Sequence, residues 1–132
     1  MSEQKPRRRQ SIYVGGFGHA NPVPAAARIG QFVLSGAITG RDGATGAMPV
    51  DLDSQVVNMF GHVREIVEAA GGSTDDIIKM TIFLREFRDR IAVNREWETM
   101  FPDPQNRPAR HAIAAELDGD MRVQCDFTAI LE

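Results

Sequence analysis

Two charged positions in the chain stand out as candidates for chemistry. The segment Asn106-Arg107-Pro108-Ala109-Arg110-His111 carries an arginine two residues beyond a proline, and Asp126 follows in the last apolar stretch. Pro108 biases Arg107 to an extended conformation and suits a strand entry, so Arg110 is expected on rigid backbone. A guanidinium binds a carboxylate through two parallel hydrogen bonds. A carboxylate oxygen orients and deprotonates water.

The elements that must hold these groups are legible in the hydrophobic periodicity. In the last stretch Val123, Cys125, Phe127, Ala129 and Leu131 alternate with Gln124, Asp126 and Thr128, which sends Asp126 away from the core. In the preceding strand Ile113 and Leu117 share a side with His111 and Ala115, and Arg110 shares the other with Ala112 and Ala114. If helices cover the Ile113/Phe127 face, Arg110, Asp126, Lys79 and Thr81 all project from the second face. A face so mixed in polarity is either wet or covered by another subunit, and the second is expected.

The remaining elements follow from the same patterning. Strands are expected over 31–38, 78–84, 110–117 and 121–131, the last two joined by a hairpin-like Asp118-Gly119-Asp120. Val56, Phe60, Val63, Val67 and Ala70 mark one helix face, stopped by Gly71-Gly72. A second helix opens at Asp89 and turns Val93, Trp97, Met100 and Phe101 inward until Pro102. The result is an α+β fold: a mixed β-sheet covered on one face by two helices, a single domain over 11–132 behind a flexible basic tail over 1–10.

Composition narrows the function classes. The 132 residues carry 15 Lys+Arg against 18 Asp+Glu, a formal net charge of -3, which disfavours nucleic acid as a partner. No apolar run approaches the ~20 residues that span a bilayer, and no secretory leader precedes the domain, so no membrane contact and a cytoplasmic location are expected. His19, His62 and His111 are too scattered for a metal centre, and His62 reads as a helix-surface residue. A serine triad from Ser35, His111 and Asp126 lacks a G-x-S-x-G elbow. Gly15-Gly16-Phe17-Gly18 reads as a turn, not a phosphate cradle, and the single Cys125 as an inert core thiol.

Six short stretches in order give the chain a resemblance. They are Val33-Leu34-Ser35-Gly36, Val67-Glu68-Ala69-Ala70-Gly71, Ile77 to Leu84, Ala92-Val93-Asn94, Arg107-Pro108-Ala109-Arg110 and Asp126-Phe127-Thr128-Ala129-Ile130. From about Asn21 to the C-terminus the chain resembles the reactive intermediate deaminases of the RidA/YjgF family. The resemblance implies a chorismate-mutase-like fold assembled as a homotrimer, with sites in the clefts between subunits and no metal or organic cofactor. It implies hydrolysis of enamine and imine carboxylates to keto acids and ammonia.

Carried over residue by residue, Arg110 holds the substrate carboxylate and Asp126 orients the water. Ser35 and Gly36 lie by the substrate, and Asn94 stands beside the pocket. Three positions depart from the family pattern. Asp126 stands for the usual Glu and is shorter by about 1.5 Å, one C–C bond. Val23 replaces the tyrosine of Gly-Pro-Tyr, and Ala112 replaces a cysteine, which points to a substrate bulkier or more apolar than 2-aminoacrylate. The rival reading is a non-catalytic module that binds a small carboxylate in the same intersubunit cleft.

Overall fold

The structure, a computed structural model, describes residues 6–132. Its strands are β1 (Arg9–Ile12), β2 (Ala26–Ile29), β3 (Phe32–Ser35), β4 (Ile38–Thr39), β5 (Ile77–Leu84), β6 (Ala109–Ala114) and β7 (Val123–Ile130), with helices α1 (Leu52–Ala69) and α2 (Arg90–Met100). The sheet order is β1-β2-β3-β7-β5-β6, and the short β4 continues the β3 edge by pairing with β7. Only β5 and β6 run parallel, because α2 forms the crossover between them. The last two strands therefore do not form a hairpin: β5 lies between them, antiparallel to β7. Gly119, at φ 54°, instead turns a loop that returns the chain across the end of β5.

The basic stretch at the N-terminus ends earlier than the patterning suggests. Arg9 and Gln10, placed in the tail by composition, pair with Ile29 and Arg28 as the start of β1. The first five residues lie outside the described part of the chain.

Both helices pack on one face of the sheet. Asp51 caps α1 by accepting the amide of Ser54 at 2.9 Å, and the chain leaves the helix through Gly71 at φ 97°, a conformation that favours glycine. Arg28 donates to the last helical turn at the Ala70 carbonyl, 2.7 Å away, placing a cation at the negative end of the dipole. Val56, Met59, Phe60, Val63, Ile66 and Val67 are buried against Val33, Met80, Ile82, Leu84, Cys125 and Phe127. Among the described residues no helix is long and apolar enough to cross a membrane.

Two local corrections have clear causes. Alternation places Ile78 inward with Met80, but a bulge between Ile77 and Lys79 makes two residues oppose one on β7, so Ile77 is buried and Ile78 exposed. His62 is not a surface residue: it is 6% exposed, its Nε2 lies 2.7 Å from the Arg41 carbonyl, and Phe17 packs on its ring at 5.0 Å. Glu65, one turn on, accepts the Gly16 amide at 3.1 Å, so the glycine-rich segment is a loop docked on α1.

The connection into β7 is fixed by one buried amide. Gln55 donates to the carbonyls of Pro49 and Asp120 at 2.7 and 2.9 Å, and accepts the Arg122 amide at 2.9 Å. A Cβ on Gly40 would lie 2.3 Å from the Gln55 carbonyl, so the close approach of β4 to α1 requires glycine there. Replacing Gln55 with leucine strands three backbone groups, and chemical denaturation should show a loss of about 2 kcal/mol with an unchanged m-value.

Candidate functional site

The register of β5 decides where the chemistry-bearing side chains lie. Met80 pairs with Arg110 on one side and Phe127 on the other, while Thr81 pairs with His111 and Asp126. Directly paired residues project to the same face. Met80 and Phe127 are buried under the helices, so Arg110 points to the helix side; Asp126 points to the open side. The expectation that both project from one face is thus corrected. Alternation within each strand holds, but Ile113 faces the open side beside Phe83. In the edge strand β6 the helix-side row is Arg110, Ala112 and Ala114, and the small alanines leave room for α2 to lie close.

On the helix side, Asn94 accepts from Arg110 Nη2 at 2.7 Å, and the guanidinium carbon lies 5.1 Å from the Trp97 ring centroid. The indole presents its face to the cation, and the amide fixes its rotation. Arg110 Nη1 is buried with no hydrogen-bond partner, and no carboxylate lies within ion-pair distance of the guanidinium among the described residues. Burial lowers its pKa, and the nearby charge of Arg90 lowers it further. An arginine so placed stays charged and is short of an anion. Ala112 lies on the same side, partly buried against the core.

The second group gathers where the sheet has a gap. β3 leaves β7 after the pair Leu34–Thr128, and β4 rejoins it at Ile38–Cys125. Across the gap Ser35 Oγ accepts the amide of Phe127 at 2.9 Å, replacing a missing ladder bond and pinning the backbone next to Asp126. Gly36 donates to the Ala25 carbonyl at 2.9 Å, and Val23 is exposed in the preceding loop. A Cβ on Gly36 would meet only Pro24 and Ala25 carbonyl oxygens, at 3.8 and 3.9 Å, so this chain alone does not require glycine there.

Asp126 is half-buried, and its carboxylate accepts no hydrogen bond among the described residues. Burial raises its pKa, and the charge of Lys79, on the same face, partly offsets that. His111 on β6 is the other titratable side chain of that row. Burial and the Asp126 charge push the Cys125 thiol up, so it stays protonated on the opposite face.

The sequence-derived residues therefore fall into two groups, Arg110, Asn94 and Ala112 under the helices, and Asp126, Ser35, Gly36 and Val23 around the gap. A single chain does not bring the groups together. Trp97, read from its spacing as core packing alone, is also the platform for Arg110; the i, i+3 step from Asn94 to Trp97 is the signal that could have found it.

Comparison with known proteins places this arrangement. The family model Endoribonuclease L-PSP matches residues 19–131. The chain belongs to the RidA/YjgF family. Among RidA/YjgF relatives, a RutC family protein of Haemophilus influenzae is 32% identical over 112 residues, covering 83% of this chain and 86% of its own. A Salmonella typhimurium protein named 2-iminobutanoate/2-iminopropanoate deaminase is 31% identical over 104 residues, covering 77% and 81%. The crystal structure of Escherichia coli TdcF with bound serine superposes with a TM-score of 0.85 at 26% identity, covering 93% of this chain and 99% of that one. The mixed sheet with two helices is thus the fold of these RidA/YjgF structures.

The electrostatics of the open face predict a pH response. A raised pKa means that the Asp126 carboxylate is lost, as pH falls, earlier than an ordinary aspartate would be. Lys79→Gln removes the neighbouring cation and should move that titration further up, measured from the Asp126 carboxyl carbon by NMR; an unchanged titration would show that Lys79 does not act on it.

Proposed function

We propose that the protein is an enamine/imine deaminase that works as a homotrimer, with Arg110 of one copy and Asp126 of its neighbour lining one cleft. The observation that carries the reading is the unpartnered Arg110 guanidinium, oriented by Asn94 and Trp97 and short of an anion. Its substrate partner is a carboxylate. The names of the relatives, imine deaminases among them, support the chemistry.

The split geometry supports assembly. Arg110 and Asp126 lie on opposite faces of one sheet, so only a second chain can bring them together. The open face that would receive it carries Phe32 at 57%, Leu34 at 54% and Ile130 at 39% exposure, beside Asp126 and Lys79. Apolar exposure on that scale marks an interface. Gly36, where one chain alone leaves room for a side chain, lies at the border of that face and keeps the approach to the cleft open.

In the reaction the guanidinium holds the carboxylate and so fixes the neighbouring C2 carbon. An enamine first takes a proton at its β-carbon and loses one from nitrogen, becoming the imine. Asp126 accepts a proton from water as the oxygen bonds to C2, giving a carbinolamine, and returns that proton to nitrogen. Asp126 then takes the carbinolamine hydroxyl proton and passes it to nitrogen, so the C–N bond breaks as the C=O bond forms, with ammonia and a 2-keto acid as products. The residues here need no cofactor for these steps. General acid-base help of this kind contributes about 10²–10⁴-fold. The shorter Asp126 leaves space for a bridging water, and the cleft belongs to a molecule in the cytoplasm where such imines are released.

The alternative is a small-carboxylate-binding regulatory module in the same cleft, favoured by the serine in the TdcF structure. Release of ammonia from imines made in situ by an amino-acid oxidase separates the two. Arg110→Ala should abolish that release without unfolding the protein, and Asp126→Asn should slow turnover by about 10²-fold or more while a 2-keto acid still binds.

Co-refolding the two inactive variants in equal amounts tests the shared cleft. About one interface in four regains both wild-type groups when copies mix at random around a symmetric ring. Recovery near a quarter of wild-type activity supports the composite site, and none excludes it.

A further inference from the structure

The helix above Arg110 carries more charge than one substrate carboxylate needs. Arg90, Asn94 and Trp97 stand at i, i+4 and i+7 on α2 and so share one face. Two members of that stripe touch the Arg110 guanidinium directly. The third, Arg90, is fixed at the first turn. Its Nη1 donates to the Phe87 carbonyl at 3.1 Å, and its guanidinium carbon sits 4.4 Å from the Phe87 ring centroid.

Neither Arg90 nor Arg110 has a carboxylate within 4.0 Å among the described residues, although the chain as a whole is acidic. Two other cations nearby are paired, Arg95 with Asp53 at 3.8 Å and Arg122 with Asp89 at 3.1 Å. Asp89, which precedes Arg90 and would be its natural counter-ion, is turned away to Arg122 and does not cap α2. Two guanidinium groups close enough for one to depress the pKa of the other are thus left without compensation. Like charges so placed repel, and a bound dianion relieves the repulsion.

The geometry points to Arg90 as a specificity-determining residue that receives a second carboxylate, making the preferred substrate a 2-imino dicarboxylate. This rests on the proposed deaminase reading for the role of Arg110 and adds the class of substrate. The helix rise between Arg90 and Asn94 is about 6 Å. The two carboxylates of a four- to six-carbon diacid stand roughly 4–6 Å apart by C–C bond lengths, a span comparable with that rise. Phe87, 48% exposed beneath Arg90, and Trp97 beneath Arg110 would flank the carbon chain between them. Because Arg90 is exposed on the first turn of α2, its preference is a matter of binding and leaves the hydrolytic steps to the other residues.

The test compares 2-oxoglutarate with 2-oxobutanoate by calorimetry, and the imines made in situ from glutamate and 2-aminobutanoate by ammonia release. In the wild-type protein the dicarboxylate should bind about five- to ten-fold tighter and its imine should show the higher kcat/KM. Arg90→Gln should bring the ratio between the two ligands close to one, and Arg90→Lys should restore part of it. Equal affinities in the wild type, or a ratio that survives Arg90→Gln, overturns the inference. Absence of ammonia release from every imine sinks the deaminase reading, yet the calorimetric ratio still decides whether the second carboxylate is recognised.

Discussion

A β-strand has two faces, and the whole arrangement depends on β5 using both. Its inward row, Met80, Ile82 and Leu84, is the floor of the core, and the pairing that buries Met80 fixes Arg110 in the same layer. Its outward row places Thr81 between His111 and Asp126. A slip of one residue in β7 would turn Val123, Cys125, Phe127 and Ala129 out of the core, so hydrophobic burial holds Asp126 on the open face. Chemistry that requires both is therefore pushed outward, to the boundary between molecules.

Much of this was legible in the sequence, and what was not has definite causes. The helices and the alternation of β7 follow from apolar spacing, and Val123 to Ala129 behave as their pattern says. The relation between strands did not follow, because parity within a strand carries no information about the phase of its neighbour. Ile113 illustrates the trap. An isoleucine on an edge strand suggested the core, yet the helix-facing places went to Ala112 and Ala114. The bulge at Ile77 to Lys79 is similarly silent, since two adjacent isoleucines give no sign of which one is displaced.

The candidate site was legible as a list and not as a shape. Arg110 and Asn94 meet at 2.7 Å, a contact between strand and helix that no spacing within either element announces. Ser35 has a structural duty the sequence did not reveal, as stand-in for a ladder bond where two short strands exchange places on β7. Its hydroxyl and the Gln55 amide do similar work, one in the middle of β7 and one at its start: each is a side chain supplying the backbone with a partner that strand pairing does not provide.

Cys125 adds one further consequence. It is adjacent to Asp126 in the chain, but strand alternation sends its sulfur into the dry interior, where the thiolate form is suppressed. Dehydroalanine-like molecules alkylate thiolates readily, and an acceptor for such compounds is at risk of scavenging them covalently. Here the pleat that divides the polar groups puts the thickness of the sheet between the cysteine sulfur and the Asp126 face, so the thiol is insulated from any electrophile that reaches that face.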